Sequence, residues 1–305
     1  MADIHHLIST VGLTEAKARS TDKLERQCLE TAFAVMSDEQ QRVGIMHAGF
    51  AMTALPHKNL RDAVWVRQGG NIKLRVESGT DADDIPVGIP FGSIARMILL
   101  YLQTEAVKTR SRDIELGRSM NRWLAAMGID NGGKTYRLVR EQSKRLSLCR
   151  LTFYRVNENT THITNSGFVR DAIIPTGNNN EQQLTLWREM VRLDEGFYQS
   201  LIEHPMPLLE TAIRQIGQRS MAIDIYIWLA YRLHQLANPT SITWKAVFDQ
   251  FGGGYAHLRQ FKAKFKEPLA LALAAYPQAL VKCDDTGVTL YPSAPPVPKR
   301  PSLFG

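Results

Sequence analysis

The pattern with the most direct chemical meaning is Gly128-Ile-Asp-Asn-Gly-Gly133-Lys134-Thr135, which satisfies the phosphate-binding P-loop spacing. In such a loop, backbone amides and the lysine cradle phosphates while the threonine hydroxyl helps hold magnesium. That geometry needs a β-strand leading into the loop. Here Met120, Trp123, Leu124 and Met127 recur at helical spacing, so a helix is expected instead. The best carboxylate for magnesium, Asp224 after Met221-Ala-Ile, also opens a helical pattern. Nucleotide hydrolysis is therefore disfavoured. Gly-rich amides at a helix N-terminus, with Lys134 beside them, would still seat the phosphate of a polyanion.

The second concentration of chemistry is positive charge. Lys134, Arg137, Arg140, Lys144 and Arg145 fall in one predicted helix against a single acid, Glu141. Arg137, Arg140 and Lys144 recur at three- and four-residue steps and so share a face, leaving Tyr136, Val139 and Leu146 for the core. Lys108, Arg110, Arg112 and Arg118 precede that helix, and Arg259, Lys262, Lys264 and Lys266 crowd another. An ordinary solvated face mixes signs, and these do not. Arginine can read a guanine edge through two hydrogen bonds, whereas lysine mostly contacts phosphate. Arg137 and Arg140 are therefore expected to read duplex DNA, with Lys134, Lys144 and Lys262 gripping its backbone. Arg110, Arg112, Arg118, Thr135, Arg145, Arg259, Lys264 and Lys266 complete the expected contact set.

Other catalytic or metal chemistry is scarce. His5-His6 is adjacent, unlike the His-x-His pair of rolling-circle nickases, and reads as a mobile terminal pair. His47, His57, His204 and His234 do not cluster with carboxylates at ligand spacing. Cys28, Cys149 and Cys283 are odd in number, far apart and set among apolar neighbours, which predicts buried free thiols. No cofactor, no metal and no enzymatic activity are expected.

The elements that must position these residues follow one order twice. Ser20-Thr21-Asp22 caps a helix carrying Leu24, Cys28, Ala32 and Val35, and Gln68-Gly-Gly-Asn71 joins two β-rich runs as a hairpin. After an acidic loop, Asp81 to Asp84, come a helix (Ile94, Met97, Ile98, Tyr101), a short strand (Arg112–Leu116) and a helix closed by Gly128. The basic helix follows, then strands at Cys149–Val156 and Thr161–Thr164. The second copy has an amphipathic helix from Ile223 to Leu236, a strand at Ser241–Trp244 and a helix at Lys245–Phe251. It continues with a helix marked by Leu258, Phe261 and Phe265, where Pro268 predicts a kink or break, and a hairpin turning at Asp284–Gly287. Helix, strand, helix, helix, strand, wing, strand is the winged-helix order, whose third helix enters the major groove.

The expected fold is α+β and mostly helical, with two winged-helix domains in tandem. Its divisions are an N-terminal helix and hairpin region (1–89), a first winged helix (90–174), a linker (175–184), a second winged helix (185–291) and a disordered proline-rich tail (292–305). A net charge of +7 and a pI near 9.3 suit a polyanionic partner. No apolar run approaches the ~18 residues of a membrane span, and the N-terminus lacks signal-peptide order, so a cytoplasmic, nucleoid- or plasmid-associated protein is expected.

Several stretches resemble the RepA-type initiators of bacterial plasmid replication. These are Ala48-Gly-Phe-Ala-Met-Thr-Ala-Leu-Pro-His57, Gly88-Ile-Pro-Phe through Gln103-Thr-Glu105, Leu116-Gly-Arg-Ser through Gly133-Lys-Thr-Tyr-Arg-Leu-Val-Arg-Glu-Gln142, Asp224 to Leu233, and Tyr276-Pro277. The resemblance covers roughly residues 45 to 292. It implies binding to repeated sites at a plasmid origin, local duplex opening and recruitment of host replication proteins, with a homodimer as a further expectation. The rival readings are a winged-helix transcriptional repressor and a P-loop ATPase such as a helicase loader. In the tail, Ser302-Leu-Phe304 resembles the end of a sliding-clamp docking peptide, which makes Leu303 and Phe304 candidate partner-docking residues although Lys299-Arg-Pro301 replaces the usual upstream glutamine.

Overall fold

The computed structural model describes residues 4–116, 124–130, 132–157, 159–171 and 190–298. Along them run α1 (Ile4–Arg19), α2 (Lys23–Met36), β1 (Val43–His47), α3 (Gly49–Met52), β2 (Val64–Gly69), β3 (Ile72–Glu77), α4 (Gly92–Thr109) and β4 (Asp113–Glu115). Then come α5 (Gly133–Leu148), β5 (Arg150–Val156), β6 (Thr161–Gly167), β7 (Val169–Asp171), β8 (Met190–Leu193), α6 (Glu195–Glu203) and β9 (Pro205–Leu209). The chain finishes through α7 (Glu210–Ile216), α8 (Ser220–Arg232), β10 (Thr240–Thr243), α9 (Trp244–Phe251), α10 (Leu258–Ala274), β11 (Val281–Cys283) and β12 (Gly287–Leu290). The architecture is α+β. Packing divides it into two compact units, 45–206 and 1–44 with 207–305. The division groups the N-terminal helices with the C-terminal third rather than in consecutive segments. The expected linker, 175–184, lies outside the described residues.

In the unit formed by 45–206, the predicted hairpin β2–β3 is not a separate feature. β3 pairs antiparallel with β5, and β5 with β6, giving the order β2-β3-β5-β6. Alternation explains the placement, because Ile72, Leu74, Val76, Leu151 and Phe153 are all buried on one face. The short strand β4 pairs with β8, and β8 with β7, so the pairing of first strand and wing hairpin expected of the first winged helix is replaced by β8.

In the other unit, the second winged-helix sequence forms a three-stranded sheet of order β10-β12-β11 beside α8, α9 and α10. Thr240 to Thr243 pair with Leu290 to Gly287, and Asp284 closes the turn by accepting from the Thr286 and Gly287 amides. Trp244 begins α9 rather than ending the strand, since the Thr243 hydroxyl caps the helix through the Ala246 amide. The predicted amphipathic helix α8 is instead buried on every side from Met221 to Ala230. Burying Tyr226, Trp228 and their aliphatic neighbours contributes on the order of 1.5–3 kcal/mol per large side chain. α10 runs unbroken through Pro268, so of the expected kink or break the break does not occur. The carbonyl orphaned by the missing amide belongs to exposed Lys264, where water can satisfy it.

Three smaller expectations are corrected. His5 and His6 are not a loose end but lie in α1, where His5 Nε2 sits 3.0 Å from the Ala274 carbonyl oxygen. Cys28 and Cys149 are buried, with thiols pushed up to about 12 chiefly by burial, but Cys283 is only half-buried. The tail is tied down at its start, where Tyr276 Oη donates to the Ala294 carbonyl (2.8 Å) and the Leu280 amide donates to Ser293 Oγ (3.1 Å). Among the described residues, no helix is long and apolar enough to cross a membrane.

Candidate nucleic-acid interface

The basic helix α5 is built by a sharp stop and restart. Residues 124–126 are helical, and Gly128 ends them at φ 67, a conformation that favours glycine. α5 then opens at Gly133. The P-loop pattern is thus preceded by helix rather than strand in the described residues, and Asp224 is buried within α8 of the other unit.

Inward positions of α5 are taken by Val139 and Leu146, as expected, and also by Gln142 and Arg145, while Tyr136 is only half-buried. Gln142 Oε1 accepts the Phe91 amide at 2.8 Å. Arg145 was expected to contact DNA, and the structure corrects that. It is 9% exposed, donates to Asn59 Oδ1 (2.9 Å), the Ile89 carbonyl (2.9 Å) and Glu141 (2.7 Å), and stacks over Phe91. A guanidinium with that many fixed acceptors is a structural clamp.

The outward face carries Arg137, Arg140 and Lys144, which the spacing had grouped. Arg137 and Lys134 are exposed, while Thr135 and Arg140 are half-buried. Arg140 Nε is buried with no hydrogen-bond partner. Lys144 donates to Asp81 Oδ2 at 2.9 Å, and this contact, with the Ile85 amide, lowers the Asp81 carboxyl below the usual range. The sign imbalance of the helix is thus partly offset by the acidic loop. Of the preceding cations, Arg110 is the exposed left-handed C-cap of α4, Arg112 pairs with Glu195 at 3.1 Å, and Arg118 lies outside the described residues.

On α10, Arg259, Lys264 and Lys266 are exposed. Arg259, Lys262 and Lys266 fall on one side by helical spacing, with Phe261 and Phe265 buried on another. Lys262 is half-buried over the Trp244 ring and donates to the Asp285 carbonyl at 3.3 Å, so it ties the helix to the hairpin turn. Leu303 and Phe304 lie outside the described residues.

Two arrangements escaped sequence reasoning. The first joins residues far apart in the chain: His47 accepts the Gly49 amide at Nδ1 (2.9 Å), which leaves Nε2–H to donate to Ser200 Oγ (2.9 Å). In that tautomer His47 cannot take a proton from Ser200. Burial, then nearby His204 and Arg155, push His47 down to about 3. Arg155 donates to His204 Nε2 at 3.2 Å, and a cavity of about 20 Å³ lies among these groups. The second is a cationic sheet face of Lys73, Arg75 and Arg150. Its signal was visible as Lys73 and Arg75 alternating with buried Ile72, Leu74 and Val76.

Residues 89–247 match the model of the plasmid-encoded RepA protein family. The chain belongs to the RepA family. This is a family of plasmid replication initiators, and its matched region contains the whole of α5 but stops before α10. No curated protein sequence matches the chain significantly. Among solved structures, domains 2 and 3 of RctB align at a TM-score of 0.48 with 12% identity, covering 73% of this chain and 82% of that one. A second crystal structure of RctB domains 2–3 aligns at 0.45 with 12% identity, covering 71% and 80%. Likenesses at that level carry no weight beyond the family match.

Proposed function

We propose that this RepA-family chain is a sequence-specific duplex-DNA-binding initiator that binds repeated sites at a plasmid origin, promotes local opening and recruits host replication proteins. It works by assembly on DNA and not by catalysis. Each unit supplies one reading helix, α5 in one and α10 in the other. The observation that carries the reading is the outward face of α5, where Arg137, Arg140 and Lys144 align beside exposed Lys134 within the family-matched region. Arginines placed there can reach base edges while the lysines neutralise phosphates. In the other unit the reading draws on the β10-β12-β11 order, with exposed Arg259, Lys264 and Lys266 on α10. The test is a footprint of the full chain on the DNA flanking its own gene, paired with plasmid maintenance when the protein is supplied in trans. Protected direct repeats together with maintenance support the proposal. Protection without maintenance would point to a repressor, and DNA-stimulated phosphate release abolished by Lys134→Ala would point to a nucleotide hydrolase.

A further inference from the structure

The four-stranded sheet β2-β3-β5-β6 buries one face and leaves the other open. On the open face the register sets Lys73 beside Tyr154 and Ile163, and Arg75 beside Thr152 and Asn165. Arg150 stands opposite Glu77. Lys73 and Arg150 are exposed, Tyr154 is half-buried, and Lys73 Nζ lies 5.6 Å from the Tyr154 ring centre. Glu77, the acid of these rows, is already engaged by Arg75 at 3.0 Å. Arg150 Nε donates to Asn165 Oδ1 at 2.8 Å, which holds its guanidinium along the sheet.

A central aromatic ring among cations on a flat surface has a specific physical use. The ring offers a stacking partner only to a base that has left its own stack, while the cations meet the phosphates on either side. A duplex keeps its base faces buried and gains nothing from the ring. A second copy of this chain fits poorly, because a two-fold contact through this face would set Lys73, Arg75 and Arg150 against their own counterparts. The exposed apolar side chains of this face fall into two groups, Val64 with Val66 on β2 and Val156 with Ile163 on β5 and β6, and the β3 row of Lys73, Arg75 and Glu77 separates them, so they form no continuous patch.

We propose that this sheet face is a single-stranded DNA site in which a base stacks on Tyr154 and the backbone runs across Lys73, Arg75 and Arg150. It is separate from the duplex-reading face of α5, and draws on the initiator reading only for the source of the strand, the DNA freed by local opening.

The experiment is a fluorescence titration of the full chain with an oligothymidylate of about twenty nucleotides and with an abasic strand of equal length and charge. The wild type should prefer the oligothymidylate. Tyr154→Ala should weaken that binding by about tenfold and erase the preference, while Tyr154→Phe retains it. Lys73→Glu with Arg150→Glu should weaken both strands alike. The substitutions at Tyr154, Lys73 and Arg150 should leave duplex affinity and thermal unfolding near wild type, whereas Arg137→Ala should lower duplex affinity only. Unchanged oligothymidylate binding in folded Tyr154→Ala and Lys73→Glu/Arg150→Glu proteins overturns the assignment. A change in sedimentation of those variants without loss of strand binding also overturns it, and makes the face a contact between copies. Failure of the Arg137→Ala arm alone strikes the duplex reading and leaves this site standing.

Discussion

Lys144 Nζ lies 2.9 Å from Asp81 Oδ2, so the basic outward face of α5 carries its own carboxylate. On the proposed duplex reading, the Asp81 carboxylate competes with a DNA phosphate for this lysine. Asp81→Asn should therefore strengthen duplex binding at low salt and steepen its salt dependence by about one unit of log–log slope, because one more cation becomes free to release a counterion. Lys144→Ala should flatten the slope by about the same amount and weaken all sequences alike. Anisotropy titrations over a salt series check both, and a double variant that behaves as Lys144→Ala alone confirms that they act through one contact.

Arg137 and Arg140 sit one turn apart on the same face. Arg137→Ala and Arg140→Ala should each cost about 1–3 kcal/mol at the specific site and relax discrimination at one base pair. A quantitative gel shift against singly substituted sites checks this. Unchanged affinity and specificity in both variants would remove α5 as the reader.

Arg145 belongs to the fold. Arg145→Met should destabilise the chain by roughly 1–3 kcal/mol, since the Ile89 carbonyl and Asn59 lose a buried donor. Gly88→Ala should act on the same clamp, because Gly88 has φ 81 and an added Cβ would lie 2.7 Å from Arg145 Nη1. Urea unfolding of both variants measures the loss, and DNA affinity per folded molecule should stay near wild type.

Acid should weaken the unit that contains His47. Burial holds this imidazole neutral, with its pKa lowered from 6.5 to about 3, while in the unfolded chain it takes a proton near the ordinary value. The folded state therefore binds fewer protons, so stability is full above pH 6.5 and falls as the pH drops towards 3. His47 alone contributes a slope of up to about 1.4 kcal/mol per pH unit in that window. Half-buried His57, which lies beside Arg96, is also shifted well below its ordinary value and adds to the slope in the same direction. His47→Gln should give a flatter stability profile between pH 6.5 and 5, and an unchanged slope would contradict the burial argument.

Leu303 and Phe304 lie beyond the described residues, and their assignment as a docking peptide for the sliding clamp or another replication protein is a proposal from sequence. Leu303→Ala with Phe304→Ala should leave origin binding intact and lower plasmid copy number. Equal copy number with and without the last five residues would rule the docking role out.

Local signals carried much of the fold. The Asp22 cap, the β2–β3 turn, the Asp284 hairpin and the outward grouping of Arg137, Arg140 and Lys144 were legible in the sequence. Each depends on residues a few positions apart, where capping, turn geometry and helical periodicity act. Tertiary structure decided what those elements meet. Leu74 pairs with Phe153 and Asp113 with Arg192, contacts that no local pattern specifies, and they place Lys73 beside Tyr154. The fate of each cation was settled the same way. Arg137 and Arg145 look alike in sequence, but turning about the helix axis puts one in solvent and the other under Phe91, Asn59 and Ile89, where its charge holds the fold together.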